Sequence, residues 1–273
     1  MTGVPATGHT GPPPGPAPAA PGLDLVSVHR FTAADSTSGP HEIGLFDTQT
    51  AAIHGPLDPA WQAGKPFVTF HDMARRVHAE VDLTGVDLVV VVDASPDCRH
   101  QSLPACHLSD LMGSDPLIIG ITDQGPTAPF TALRVAYDRV AAGRSGAALV
   151  LVLEQSTLPP EDGSPAPDGD TAVALLVRPG GQLPISRPRI TPSTGRTHLD
   201  AMSDAGSTLT GWMPSTYVDA VPGHVCAGPW VALAAHLADA QRGGVLVAGR
   251  DLRYSAEVVV GVPAPVRELE YSR

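Results

Sequence analysis

Residues 117–155, LIIGITDQGPTAPFTALRVAYDRVAAGRSGAALVLVLEQ, read as a buried strand, a tight turn, an amphipathic helix and a second buried strand. A strand that turns sharply into a helix can lift one side chain into a site, where the helix N-terminus activates it as a nucleophile. Here the turn carries Asp123, Gln124, Gly125, Pro126 and Thr127, with neither cysteine nor serine. The frame suits acyl chemistry, but its usual nucleophile is replaced.

Other residues with chemical potential lie outside this stretch. His224 follows Pro222 and Gly223 and precedes a helical pattern, so backbone N–H groups point outward beside it. Two readings stand: a base or oxyanion donor aimed into a cleft, whose removal leaves stability nearly intact, or an ordinary histidine at a helix start. Cys226 shares the same helix dipole, but no base is placed beside it, and it reads as a structural thiol. Cys98, His100, Cys106 and His107 offer four soft ligands, yet their spacing matches no familiar zinc motif. No metal site is assigned, and no cofactor is implied.

The elements that must position these residues follow from pattern and composition. Of the 273 residues, 42% are hydrophobic and only 4% aromatic, so the core is built mainly from Val, Leu, Ile and Ala. Residues 1–22 are rich in Pro, Gly and Ala and read as a disordered tail. A strand is expected at 23–31, a helix at 68–80 with Phe70, Met73, Ala74 and Val77 on one face, and a strand covered on both faces at 86–94. A helix over 102–113 ends at Gly113, and the helix after the turn carries Phe130, Leu133, Ala136, Tyr137 and Val140 up to a cap at Gly143. Strands at 147–155 and 170–179 complete a first lobe over 23–180, and strand–helix alternation favours a mixed α/β sheet with helices on both faces. The second lobe, 181–273, offers a short strand at 185–190, one helix at 229–241 and a hairpin at 243–262.

The order of these motifs resembles the thiolase-like superfamily, and within it ketoacyl-acyl-carrier-protein synthase III. DLVVVVDASPD (87–97) resembles the family's strand and "TPD"-type turn, and GDTAVALLV (169–177) its "GDGAAAVVL" strand. GHVCAGPWVALAAHLADAQRGGVLVAGRDLRYSAEVVVGV (223–262) resembles its "GNTSAAS" helix start, helix and last hairpin. The resemblance implies a layered α/β fold of two related lobes, mixed sheets covered by helices, with the second lobe reduced. It also implies that the strand at 147–155 pairs with its counterpart across a dimer axis.

The departures set the functional expectation. The family's cysteine position falls on Pro126, or on Gln124 with a small shift, and its asparagine falls on His224. A Cys-His-Asn set is impossible in a chain without asparagine. For the family's other histidine the one positional candidate is His198, and the glycine-rich turn has become Gly249–Arg250–Asp251–Leu252–Arg253. Some synthase relatives with glutamine in place of cysteine decarboxylate a malonyl thioester or form the inactive half of a heterodimer. Gln124 therefore has two readings, that role or a plain turn residue.

Three functions follow from the resemblance. The first is a catalytically degenerate synthase-like protein serving as partner or scaffold of a condensing enzyme in fatty-acid-like or polyketide biosynthesis. The second is a cysteine-less decarboxylase or acyltransferase using His224. The third is an acyl-thioester binding protein. Expected partners are a complete ketosynthase or a second copy, with acyl carrier protein or acyl-CoA as further candidates. A net charge of −11 argues against nucleic acid, and no apolar run reaches membrane-spanning length. Three cysteines cannot form a disulfide framework, which fits a reducing, cytoplasmic setting.

Overall fold

A computed structural model describes residues 19–36, 48, 51–52, 66–94, 97–98, 103–156, 169–193, 216–218, 224–250 and 253–261. Residues 1–18 of the expected tail, together with His100, His198, Asp251 and Leu252, lie outside the described residues. Five helices are labelled here: α1 (Phe70–Glu80), α2 (Pro104–Met112), α3 (Ala128–Ala141), α4 (Gly228–Ala235) and α5 (Leu237–Gly243). The strands of the first sheet are β1 (Pro21–Phe31), β2 (Leu88–Asp93), β3 (Leu117–Ile121), β4 (Ala148–Glu154), β5 (Asp170–Pro179) and β6 (Leu183–Pro184). Those of the second are β7 (Arg189–Pro192), β8 (Thr216–Val218), β9 (Val245–Arg250) and β10 (Tyr254–Val260).

The first sheet is mixed, in the order β3-β2-β4-β5-β1-β6. β2 runs parallel to both β3 and β4, while β5 is antiparallel to β4 and to β1. Strand alternation sends successive side chains to opposite faces. Leu88, Val90 and Val92 of β2 and Ala148, Val150 and Val152 of β4 therefore join Phe130, Leu133, Ala136 and Trp230 on the α3/α4 face. Val89, Val91, Leu149, Leu151 and Leu153 join Phe70, Met73, Val77 and Leu108 on the α1/α2 face. The α3/α4 core also takes in Val245, Val247, Ala256, Val258 and Val260 of the second sheet, whose order is β7-β10-β9-β8. The layers thus run helix, sheet, helix, sheet, and α3 and α4 form the buried middle layer.

Local chemistry explains the element ends. The Thr69 side chain accepts from the Asp72 amide and donates to the Asp72 carboxylate, which starts α1. Gly113 (φ 61°) ends α2 in the left-handed conformation, as expected for a helix stopped by glycine. Polar groups at the ends of β4 and β5 are satisfied. Gln155 accepts from the Cys98 amide and donates to Val68 O and Asp97 Oδ1, and Asp170 accepts from the amides of Ser156 and Val68.

Several sequence expectations are corrected. Pro21 and Gly22, assigned to the tail, begin β1 and pair with Pro179 and Arg178. β3 is an edge strand: Leu117 is 45% exposed and Ile118 and Ile119 are only half-buried, because among the described residues β3 pairs with β2 alone. β4 lies in the middle of the sheet between β2 and β5, so its backbone is spent within the chain and cannot pair across a dimer axis. The strand expected at 185–190 is displaced to Arg189–Pro192, leaving an isolated bridge at Ile185–Val260. The single helix expected over 229–241 breaks at His236, whose φ of −115° is not helical and whose ring bonds Asp239. β6 falls beyond the expected lobe boundary at residue 180 yet belongs to the first sheet.

Candidate active site

The turn between β3 and α3 is built on left-handed backbone. Asp123 is the only non-glycine residue there with positive φ (58°), and Gly125 follows at 50°. A short 3-10 turn, Gly125–Thr127, then leads into α3. Thr127 is buried, and its hydroxyl donates to Gln124 O at 2.9 Å. The Gln124 side chain is exposed, and its Oε1 accepts a 2.7 Å hydrogen bond from the Thr131 hydroxyl. A sparsely populated backbone conformation at such a turn costs about 1–3 kcal/mol and persists only where packing holds it.

Packing here comes from the second half of the chain. Cys226 Sγ donates to Gly125 O at 3.0 Å. A Cβ on Gly249 of β9 would lie 2.7 Å from the Phe130 ring and 2.9 Å from Pro126 O, so only glycine fits. Phe130 and Trp230, from α3 and α4, pack with ring centroids 5.0 Å apart and tilted by 45°. The turn, the start of α4 and the end of β9 converge on one spot.

At its centre is a residue that sequence reasoning passed over. Glu154 ends β4 on the α3/α4 face and is 1% exposed. Its Oε1 accepts from His224 Nδ1 at 3.0 Å, and its Oε2 accepts from the amides of Cys226 (2.6 Å) and Ala227 (3.0 Å). The signal was a carboxylate closing the otherwise apolar run ALVLVLE. A buried strand end rarely carries a charge without partners. Burial, then the Glu154 charge, raise the Cys226 thiol well above its ordinary pKa. That thiol is not a thiolate at neutral pH.

Of the two sequence candidates, His224 is buried at this junction, 7% exposed, while Gln124 bonds within its own helix start. No hydrogen bond joins the two side chains among the described residues. The soft-ligand group does not converge: Cys98 is buried in the Gln155 network, Cys106 is exposed, and His107 stacks on His71 at 4.4 Å. On the opposite face, burial and then the neighbouring Asp97 charge push Asp93 up to about 6, and its Oδ1 has no partner.

No protein-family model and no curated protein matches the chain. Solved structures do. One is 3-oxoacyl-(acyl carrier protein) synthase III from Pseudomonas aeruginosa, at 15% identity and a TM-score of 0.59, over 91% of this chain and 100% of the other. OleA from Xanthomonas campestris matches at 12% identity and a TM-score of 0.58, over 89% of this chain and 98% of the other. A tetronic acid condensing enzyme matches at 14% identity and a TM-score of 0.60, over 89% and 100%. At such identities the likeness is one of fold. The chain has the thiolase-like α/β fold of these condensing enzymes. No helix among the described residues is long and apolar enough to cross a membrane.

Proposed function

We propose that the chain is a catalytically degenerate ketosynthase-like protein that serves as partner or scaffold of a complete condensing enzyme in fatty-acid-like or polyketide biosynthesis. One observation carries this reading. Where the fold offers a helix N-terminus to a nucleophile, the chain presents Asp123–Thr127, and the nearest thiol is a buried group held protonated beside Glu154. Acyl transfer by covalent catalysis needs an activated, accessible nucleophile, and this junction supplies neither. The edge of β3 supports a protein partner: among the described residues this apolar strand is paired on one side only, and such an edge is a template for a second chain. A condensing enzyme or a second copy would extend the sheet there.

The test is intact mass after incubation with acetyl-CoA or malonyl-CoA, alongside co-expression with a complete condensing enzyme encoded nearby. An unchanged mass and co-purification are expected. An acyl adduct on Cys98, Cys106 or Cys226 would sink the reading.

A second reading rests on His224. Glu154 engages its Nδ1 and leaves Nε2 without a hydrogen-bond partner among the described residues. A carboxylate that orients a histidine is half of an acid–base pair, and such a pair could serve decarboxylation of an acyl thioester without cysteine. Release of carbon dioxide from malonyl-CoA, lost in His224→Ala, would favour it over the scaffold.

A further inference from the structure

The donors at the start of α4 converge on a side chain from β4 of the first sheet. Two backbone N–H groups, of Cys226 and Ala227, and the Nδ1–H of His224 reach the two oxygens of Glu154. Donor sets of this kind hold bound carboxylates and stabilise developing oxyanions. An ordinary helix cap would come from the residue just before the helix, and here Ala227 supplies none. The carboxylate instead reaches in from seventy residues upstream of His224. The remaining residues on that face of β4, Ala148, Val150 and Val152, are apolar and fully buried, so nothing else there calls for a charge.

We propose that Glu154 is an internal ligand: its carboxylate fills an anion-binding site built by His224, Cys226 and Ala227. In filling it, Glu154 closes the site to the carboxylate or thioester oxygen of an incoming acyl group. The same contact fixes the ring orientation, with Nδ1 turned to Glu154. The inference stands on hydrogen-bond geometry and holds whether the chain is a scaffold or an enzyme.

Replacing the side chain with glycine leaves the donors in place and makes room for a small carboxylate. Thermal melting of Glu154→Gly is compared in chloride, formate and acetate at matched ionic strength. The variant should melt lower than the wild type and regain part of the loss, saturably, in formate and acetate but not in chloride. The wild type should not respond to the choice of anion. A folded variant with no carboxylate-specific gain overturns the proposal. Should the glycine variant not fold, Glu154→Gln is read by NMR. The amide protons of Cys226 and Ala227 and the ring nitrogens of His224 should shift, with faster amide exchange. Unmoved resonances overturn the proposal equally.

Discussion

Cys226 Sγ donates a 3.0 Å hydrogen bond to the carbonyl oxygen of Gly125, 101 residues earlier in the chain. The turn that precedes α3 and the turn that precedes α4 therefore meet through one thiol. In a condensing-enzyme fold this is where a reactive sulfur would be sought, yet the sulfur present is packed, hydrogen-bonded and raised in pKa by burial and Glu154.

Thiol labelling should separate the three cysteines. Cys106 is exposed, whereas Cys98 and Cys226 are buried. Iodoacetamide at pH 7.5 should modify Cys106 first, with Cys226 protected until denaturant is added. Peptide mapping by mass spectrometry reads the order, and rapid native labelling of Cys226 would contradict its protonated, buried state.

His224→Ala should lower stability by about 1–3 kcal/mol, because it removes one of three donors to a buried carboxylate. The Glu154 contact makes this cost larger than that of a cleft-facing histidine whose removal leaves stability nearly intact. Urea unfolding checks it, and a change below a few tenths of a kcal/mol would mean that Glu154 does not need the imidazole.

The proposed pairing at the edge of β3 predicts that charging this edge prevents association without unfolding the protein. Leu117 is 45% exposed, and a Cβ on Gly120 meets nothing within 4 Å. Leu117→Lys with Gly120→Asp should convert a dimer to a monomer in light scattering at micromolar concentration, with little change in melting temperature. A dimer that survives both charges places its interface elsewhere.

Gly249→Ala should destabilise by about 1–3 kcal/mol through overpacking against Phe130 and Pro126 O. Gly120→Ala is the control, with open space for its methyl. Chemical denaturation of the pair should show a loss in the first only; equal stability would mean that β9 can shift away from the turn.

Asp93→Asn should stabilise the protein near neutral pH. The folded carboxyl titrates near 6, raised first by burial and then by Asp97, against an ordinary value of 3.8. Between those values the folded state holds more protons than the unfolded chain, so stability falls as pH rises through the window. The asparagine variant should gain about 1 kcal/mol at pH 7.5, after allowance for solvent screening, and lose that advantage towards pH 4. Melting curves across pH test the sign.

Much of the layering was legible because it depends on local period. The unbroken apolar runs in 88–92 and 148–153 mark strands covered on both faces, and the spacing of Phe130, Leu133, Ala136 and Val140 states which face of its helix is buried. What failed was non-local. The apolar run LIIGI reads the same whether its outer edge is paired or open, so pattern alone makes β3 a buried strand, and the interface role expected of β4 rests on the family resemblance and not on its own residues. The break at His236 has no glycine or proline to announce it. At the site, His224 was visible from its turn and helix context. Glu154 was not, because its three donors lie seventy or more residues onward and only the folded chain brings them together.

The place of β1 between β5 and β6 bears on how the polypeptide reaches this state during synthesis. Phe31 pairs with Asp170 and Pro21 with Pro179, so the first strand of the sheet has its main ladder partner nearly 140 residues later. At ordinary elongation rates of about 5–20 residues per second, roughly 7–28 s separate the two on the ribosome. Throughout that interval the VSVHRF stretch of β1 lacks its β5 partner, and β2, β3 and β4 can assemble only a partial parallel core. Folding of this protein is thereby tied to late events in translation, and chaperone occupancy should peak before residue 170 clears the exit tunnel.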